Sequence, residues 1–205
     1  MLGQPASNEP GPRSRPHRTS LRLPEFDYST PGAYFITICT FRKACLLGHV
    51  VENRASLNAA GSMVASMWAE LPHHYPAVQT DAFVIMPNHV HGILILTDGH
   101  PDIHPPEDGQ AWEPAPTIGL SDIVHRFKSL TTRRFAPLEH DSARGPVRRH
   151  LWQRNFYEHV IRDDDSLQRI REYVVNNPLS WSLDRENPNA ASLSTSVKPT
   201  DLCRL

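Results

Sequence analysis

The chain has 205 residues but only three cysteines, Cys39, Cys45 and Cys203, with no CxxC pair among them. Neither a disulfide framework nor a thiolate zinc site is expected, and the three read as reduced bystanders. Long apolar runs are also missing. None approaches the ~20 residues needed to cross a bilayer, and Met1 to Ser20 has no apolar stretch of signal-peptide type, so a cytoplasmic protein without membrane contact is expected. Excess charge is absent too: the formal net charge of −1 argues against simple coating of nucleic acid. There is no internal repeat and no Gly-rich phosphate loop of Walker type, so nothing points to nucleotide hydrolysis.

Residues 1–20 are rich in Pro, Ser, Gly and Arg and have little to bury, which predicts a disordered basic arm. Residues 97–116, with five prolines, and residues 186–205 are expected to be irregular, the latter a flexible tail. Residues 21–185 then form one domain.

Within that domain, Ala33 to Phe41 is dense in aromatic and β-branched residues and reads as a strand. Leu57 to Leu71 carries Ala60, Met63, Val64, Met67, Trp68 and Leu71 at helical spacing, with Pro72 as its stop. Ala82 to Met86 and His89 to Leu96 flank Pro87-Asn88 and predict a hairpin. Leu120, Ile123, Val124, Phe127 and Leu130 mark a helix capped by Thr117 or Ser121, with Arg126, Lys128, Arg133 and Arg134 off its apolar stripe. Phe156 to Arg162 has strand composition, and Ser166 to Asn177 is helical, ended by Pro178. The order β, α, β, β, α, β, α suits an α+β fold in which helices cover an antiparallel sheet.

In Pro87-Asn88-His89-Val90-His91-Gly92, two histidines stand two apart on a strand, so both imidazoles share one face and can converge on one ion. Hydrogen-bonded histidines without a metal are the plainer alternative. In Tyr173-Val174-Val175-Asn176-Asn177, the phenol and the Asn177 amide lie four residues apart, one above the other on a helix, where packing and helix-end roles are the alternatives. From His125 to Arg154 the basic residues Arg126, Lys128, Arg133, Arg134, Arg144, Arg148, Arg149 and Arg154 face only Glu139 and Asp141. That segment is either a phosphate-binding surface or a solvated helix face and basic loop.

Four blocks together resemble the single-tyrosine His-hydrophobic-His transposases, and most closely their REP-associated branch. The blocks are YFITICTFR at Tyr34 to Arg42, FVIMPNHVHGILIL at Phe83 to Leu96, IVHRFKSLTTRR at Ile123 to Arg134, and WQRNFYEHVIRDDDSLQRIREYVVNNPLSW at Trp152 to Trp181. The resemblance runs from about Tyr28 to Trp181. It implies a ferredoxin-like sheet, a divalent cation held by His89, His91 and Asn177, and Tyr173 as covalent nucleophile. The insertion-sequence relatives carry Gln where this chain has Asn177. It further implies attack on single-stranded or hairpin DNA, release of a 3′-hydroxyl, a 5′-phosphotyrosine that stores the bond energy for rejoining, and a nucleoid-associated monomer or homodimer. Mg²⁺ or Mn²⁺ suits the role. Phosphate contacts would come from Arg126, Lys128, Arg133, Arg134, Arg148 and Arg149. Tyr157 is the rival nucleophile and His159 a candidate proton acceptor. A hairpin-binding protein that no longer cuts, and a phosphoesterase that uses water, are the alternative functions; the latter usually wants a further ligand, and position 93 is Ile.

Overall fold

A computed structural model describes residues 26–98, 118–136, 150–184, 186–188 and 190. The N-terminal arm, most of the proline-rich segment, Arg144, Arg148, Arg149 and residues 191–205 lie outside them. Among the described residues no helix is long and apolar enough to cross a membrane.

The elements are β1 (Gly32–Cys39), β2 (Gly48–Val51), β3 (Arg54–Leu57), α1 (Ala59–Ala69), α2 (Leu71–His74), β4 (Val78–Met86), β5 (His89–Leu96), α3 (Leu120–Phe135), β6 (Tyr157–Ile161) and α4 (Asp164–Asn176). Four strands form an antiparallel sheet in the order β4-β5-β1-β6. Because β1 and β4 both run antiparallel to β5, they are parallel to each other with β5 between them. The path β1-α1-β4 is therefore a split β-α-β unit, and β5-α3-β6 is a second one around β1. The fold is α+β, as the sequence order predicts, with the ferredoxin-like sheet that the resemblance implies.

The two faces of the sheet differ in depth. On one, Tyr34, Ile36, Ile38, Val90 and Leu94 pack against Val64, Met67 and Trp68 of α1 and Ile123, Val124 and Phe127 of α3, forming the main core. On the other, Phe35, Ile93 and Ile161 meet Val174 of α4, with Leu167, Ile170 and Tyr173 at the margin. Strand alternation sends Val90 to the first face and its neighbours His89 and His91 to the second.

Several local expectations need correction. Helix α3 has Gly119 at its N-cap, with no side chain capping it, in place of Ser121; Thr117 lies outside the described residues. Pro72 does not stop α1, which ends at Ala69; it sits in the first turn of α2, where its missing N–H is no loss. Pro178 does follow the end of α4, as expected, and sits in the first turn of a 3-10 helix, Asn177–Leu183. Strand β4 begins at Val78, earlier than its apolar run, because a register shift between Thr80 and Phe83 admits polar residues. The hairpin β2-β3 carries no Gly signal in sequence, since Glu52 and Asn53 supply its turn at φ 49° and 60°.

Candidate active site

His89 and His91 stand on β5, opposite Cys39 and Thr37 of β1, so all four side chains face α4. The imidazoles are 4.5 Å apart between ring centroids and are buried, at 0% and 4% exposure. Both are locked by a partner on Nδ1. The Asn88 amide nitrogen donates to the carbonyls of Lys43 and Glu186, which fixes its oxygen toward His89, and His89 Nδ1 lies 2.8 Å from that oxygen. An amide oxygen only accepts, so His89 carries its proton on Nδ1 and presents a bare Nε2 lone pair. His91 Nδ1 lies 2.8 Å from Thr37 Oγ1. Burial holds both imidazoles below their ordinary proton affinity; for His89 the Asp184 carboxylate is the largest opposing influence, while for His91 the neighbouring His89 adds to the depression. Neutral rings are the form that ligates metals, and for His89 the acceptor-only partner also fixes the tautomer.

Helix α4 brings the other two groups. Asp163 caps it, its Oδ1 accepting from the Ser166 N–H at 2.7 Å, with Asp164 and Asp165 in the first turn. Arg171 ties it to β4 through Nε, 3.1 Å from both oxygens of Asp81, and through Nη2 to Oδ2. Tyr173, two residues on, places its hydroxyl 3.4 Å from His91 Nε2. Asn177 keeps helical φ and ψ of −56° and −40°, so its amide remains stacked one turn beyond Tyr173. Burial pushes the Tyr173 phenol up to about 12; Asp184 pushes the same way, and the Asn177 amide opposes them.

Two buried polar atoms here have no hydrogen-bond partner: His89 Nε2 and Asn177 Oδ1. Orphans of that kind are costly, and both are lone pairs suited to a cation. The residues present therefore fit a divalent ion held by two imidazole nitrogens and one amide oxygen. Among the described residues no three His, Cys, Asp or Glu side chains form a metal-holding group by themselves, so the amide is essential to this set. The Cys39 thiol, opposite His89 on β1, donates to Glu186 Oε2 at 3.7 Å, and burial, then the Glu186 carboxylate, push it up to about 12.

The structure thus brings together His89, His91, Tyr173 and Asn177. Tyr157 pairs with Thr37 and packs edge-on against Phe35 at 6.4 Å. His159 shares the α4-facing side, opposite Phe35, but the Tyr173 hydroxyl meets His91 and makes no hydrogen bond to it. The basic residues are elsewhere. Helix α3 covers the far face of the sheet, where Arg126, Arg133 and Arg134 are exposed, Arg126 over the Tyr75 ring at 5.9 Å and Arg134 3.9 Å from Glu70. Lys128 is half-buried and donates to the carbonyls of Gln153 and Arg154 at 2.7 and 2.9 Å. With His125, Arg133, His150 and Arg154 it borders an open cleft of about 390 Å³. Sequence reasoning missed Thr37, Asn88, Trp181, Asp184 and Glu186; the adjacency of Asn88 to the His pair was the one available signal.

A family model described as IS200-like transposase matches residues 112–177, the stretch that carries α3, β6 and α4. An uncharacterized protein of Haemophilus influenzae is 39% identical over 174 residues, covering 82% of this chain and 92% of its own. A second protein of that organism, named "Putative REP-associated tyrosine transposase", is 27% identical over 156 residues, 75% of this chain and 73% of that one. Among solved structures, a REP-associated tyrosine transposase bound to a REP hairpin superposes with a TM-score of 0.50 at 18% identity, over 79% of this chain and 73% of that one, a likeness of fold. The chain belongs to the IS200-like transposase family.

Proposed function

We propose that the protein is a divalent-cation-dependent enzyme that nicks and rejoins single-stranded DNA near hairpins, with Tyr173 as nucleophile. The observation that carries this reading is the approach of the Tyr173 hydroxyl to His91, 3.4 Å from Nε2, beside the unpartnered His89 Nε2 and Asn177 Oδ1. At that spacing the phenolic oxygen lies close enough to the proposed ligands for one phosphodiester to reach both.

His89, His91 and Asn177 would hold Mg²⁺ or Mn²⁺. When bound, such an ion polarises a phosphate oxygen and favours the phenolate over the phenol. The buried, neutral imidazoles make the site a better host for Mn²⁺ than for Mg²⁺, which prefers oxygen donors. Tyr173 Oη, its proton released to water, attacks the scissile phosphorus. A P–O bond to tyrosine forms as the bond to the 3′ oxygen breaks, and that oxygen takes a proton from water. A 3′-hydroxyl attacking the phosphotyrosine later reverses the exchange without ATP. Exposed Arg126, Arg133 and Arg134 would position duplex or hairpin phosphates on the far face, leaving the unpaired strand to reach the site.

The test compares Tyr173→Phe with Tyr157→Phe on a single-stranded hairpin substrate with Mn²⁺, reading covalent protein–DNA adduct on a denaturing gel. Tyr173→Phe loses the adduct and Tyr157→Phe keeps it. The reverse pattern overturns the assignment; strand breakage by the native chain with no trapped adduct at all points to water as nucleophile.

A further inference from the structure

We propose that Asp184 is a fourth protein ligand of the cation site, its Oδ2 joining His89 Nε2, His91 Nε2 and Asn177 Oδ1; this rests on the cation reading above. Two neutral imidazoles and a neutral amide leave a buried dication without charge compensation, and hard divalent ions favour carboxylate.

Asp184 is arranged to provide it. It follows the 3-10 helix that continues from α4, at 15% side-chain exposure. Its Oδ1 is committed, accepting the Glu186 N–H at 2.8 Å, which aims Oδ2 at the site. Oδ2 lies 3.9 Å from His89 Nε2. That is too long for a hydrogen bond. It does suit two ligands of one ion, since bonds of about 2.1 Å separate a ligand pair by about 3.0 Å at a right angle and 4.2 Å when opposed. The segment is anchored rather than adventitious: the Glu186 carbonyl accepts from Asn88, and its carboxylate pairs with Lys43 Nζ at 2.8 Å. Glu186 is thereby neutralised by a lysine. Asp184 has no Lys or Arg within ion-pair distance among the described residues, only the imidazole of His89. Its field reaches both His89 and Tyr173, and in the absence of a cation it works against the phenolate. A bound ion between these groups reverses that sign.

The experiment titrates Mn²⁺ into metal-stripped full-length protein and follows the six-line electron paramagnetic resonance signal of the free aqua ion, for the native chain, His89→Ala, Asp184→Asn, Asp184→Ser and Glu186→Gln. Asn and Ser both retain an acceptor for the Glu186 N–H, so the turn survives, and thermal unfolding without metal checks this. Asp184→Asn and Asp184→Ser should weaken Mn²⁺ binding roughly tenfold or more, as His89→Ala does. Glu186→Gln, removing the same charge next door, should change it less than about threefold. If both Asp184 variants bind like the native chain while His89→Ala does not, the assignment of Asp184 is wrong and the cation reading stands. Equal losses in the Asp184 and Glu186 variants would reduce Asp184 to a distant charge and overturn it as a ligand. If the native chain shows no Mn²⁺ binding that depends on His89, the cation reading fails and Asp184 falls with it.

Discussion

Two backbone carbonyls decide the chemistry of a side chain two hydrogen bonds away. The carbonyls of Lys43 and Glu186 orient Asn88, Asn88 orients His89, and the result is a bare, buried nitrogen. Keeping that nitrogen neutral has a consequence for stability. Both imidazoles hold protons less tightly when folded than at their ordinary value of 6.5, chiefly because burial penalises the charged ring. The unfolded chain therefore binds more protons than the folded one as pH falls below 6.5, and stability drops with it until the depressed folded values are passed. Above 6.5 the contribution is fully present. Asp81 and Asp163, which accept hydrogen bonds as carboxylates, act only near and below 3.8 and so stay out of this window. His159 on β6 shifts the same way, so variants are needed to separate them. Metal-free native protein should lose urea midpoint steadily from just above to well below pH 6.5, and His91→Gln should flatten that slope. An unchanged slope would mean that His91 is not the buried neutral group described.

At the scale of elements, what could be read in advance was whatever repeated with a clear period. The apolar runs on either side of Pro87-Asn88 marked a hairpin, and the two-residue period of its second strand gave the shared face of His89 and His91; the helical spacing from Leu167 to Val174 set Tyr173 and Asn177 on one side of α4. What could not be read depended on tertiary neighbours. The β2-β3 turn uses Glu52 and Asn53 where Gly would have announced it, and the 3-10 helix that carries Trp181 toward His89 has no period to detect. Nor does a basic stripe reveal which face of the sheet its helix covers, so the separation of α3 from the site was invisible. Gly92, inside the histidine motif, likewise has a meaning only the packing supplies. It points away from the site, and a Cβ there would lie 2.6 Å from the Trp68 ring and 3.0 Å from the Phe83 ring, which are themselves stacked at 4.3 Å. Neither ring can retreat without disturbing the main core. Gly92→Ala should therefore reduce unfolding free energy by about 1–3 kcal/mol in urea melts, with little change in slope. A loss below about 0.5 kcal/mol would show that Trp68 yields freely.

Across the whole molecule the sheet divides labour unevenly: one face carries a deep core under α1 and α3, while the other holds α4 on Phe35, Ile93 and Ile161, aided by the Arg171–Asp81 pair. The helix that carries the proposed nucleophile is thus the less firmly seated one. The proposed rejoining reaction would benefit from that, because Tyr173 would have to carry a phosphoryl group and later release it to a new 3′ end. Local opening free energy follows buried apolar contact, so native-state hydrogen exchange should find the α4 amides less protected than those of α1, α3 and β5. Cation binding at the proposed site would alter the balance by joining Asn177 at the end of α4 to His89 and His91 on β5, since a ligand that binds only the closed arrangement stabilises it by mass action. Adding Mn²⁺ should therefore slow exchange in the last two turns of α4 and leave α1 and α3, on the far face, unchanged. Protection in α4 equal to that in α3 without metal would contradict the uneven anchoring, and a gain spread evenly over both faces would mean that the ion stabilises the domain without clasping this helix to the sheet.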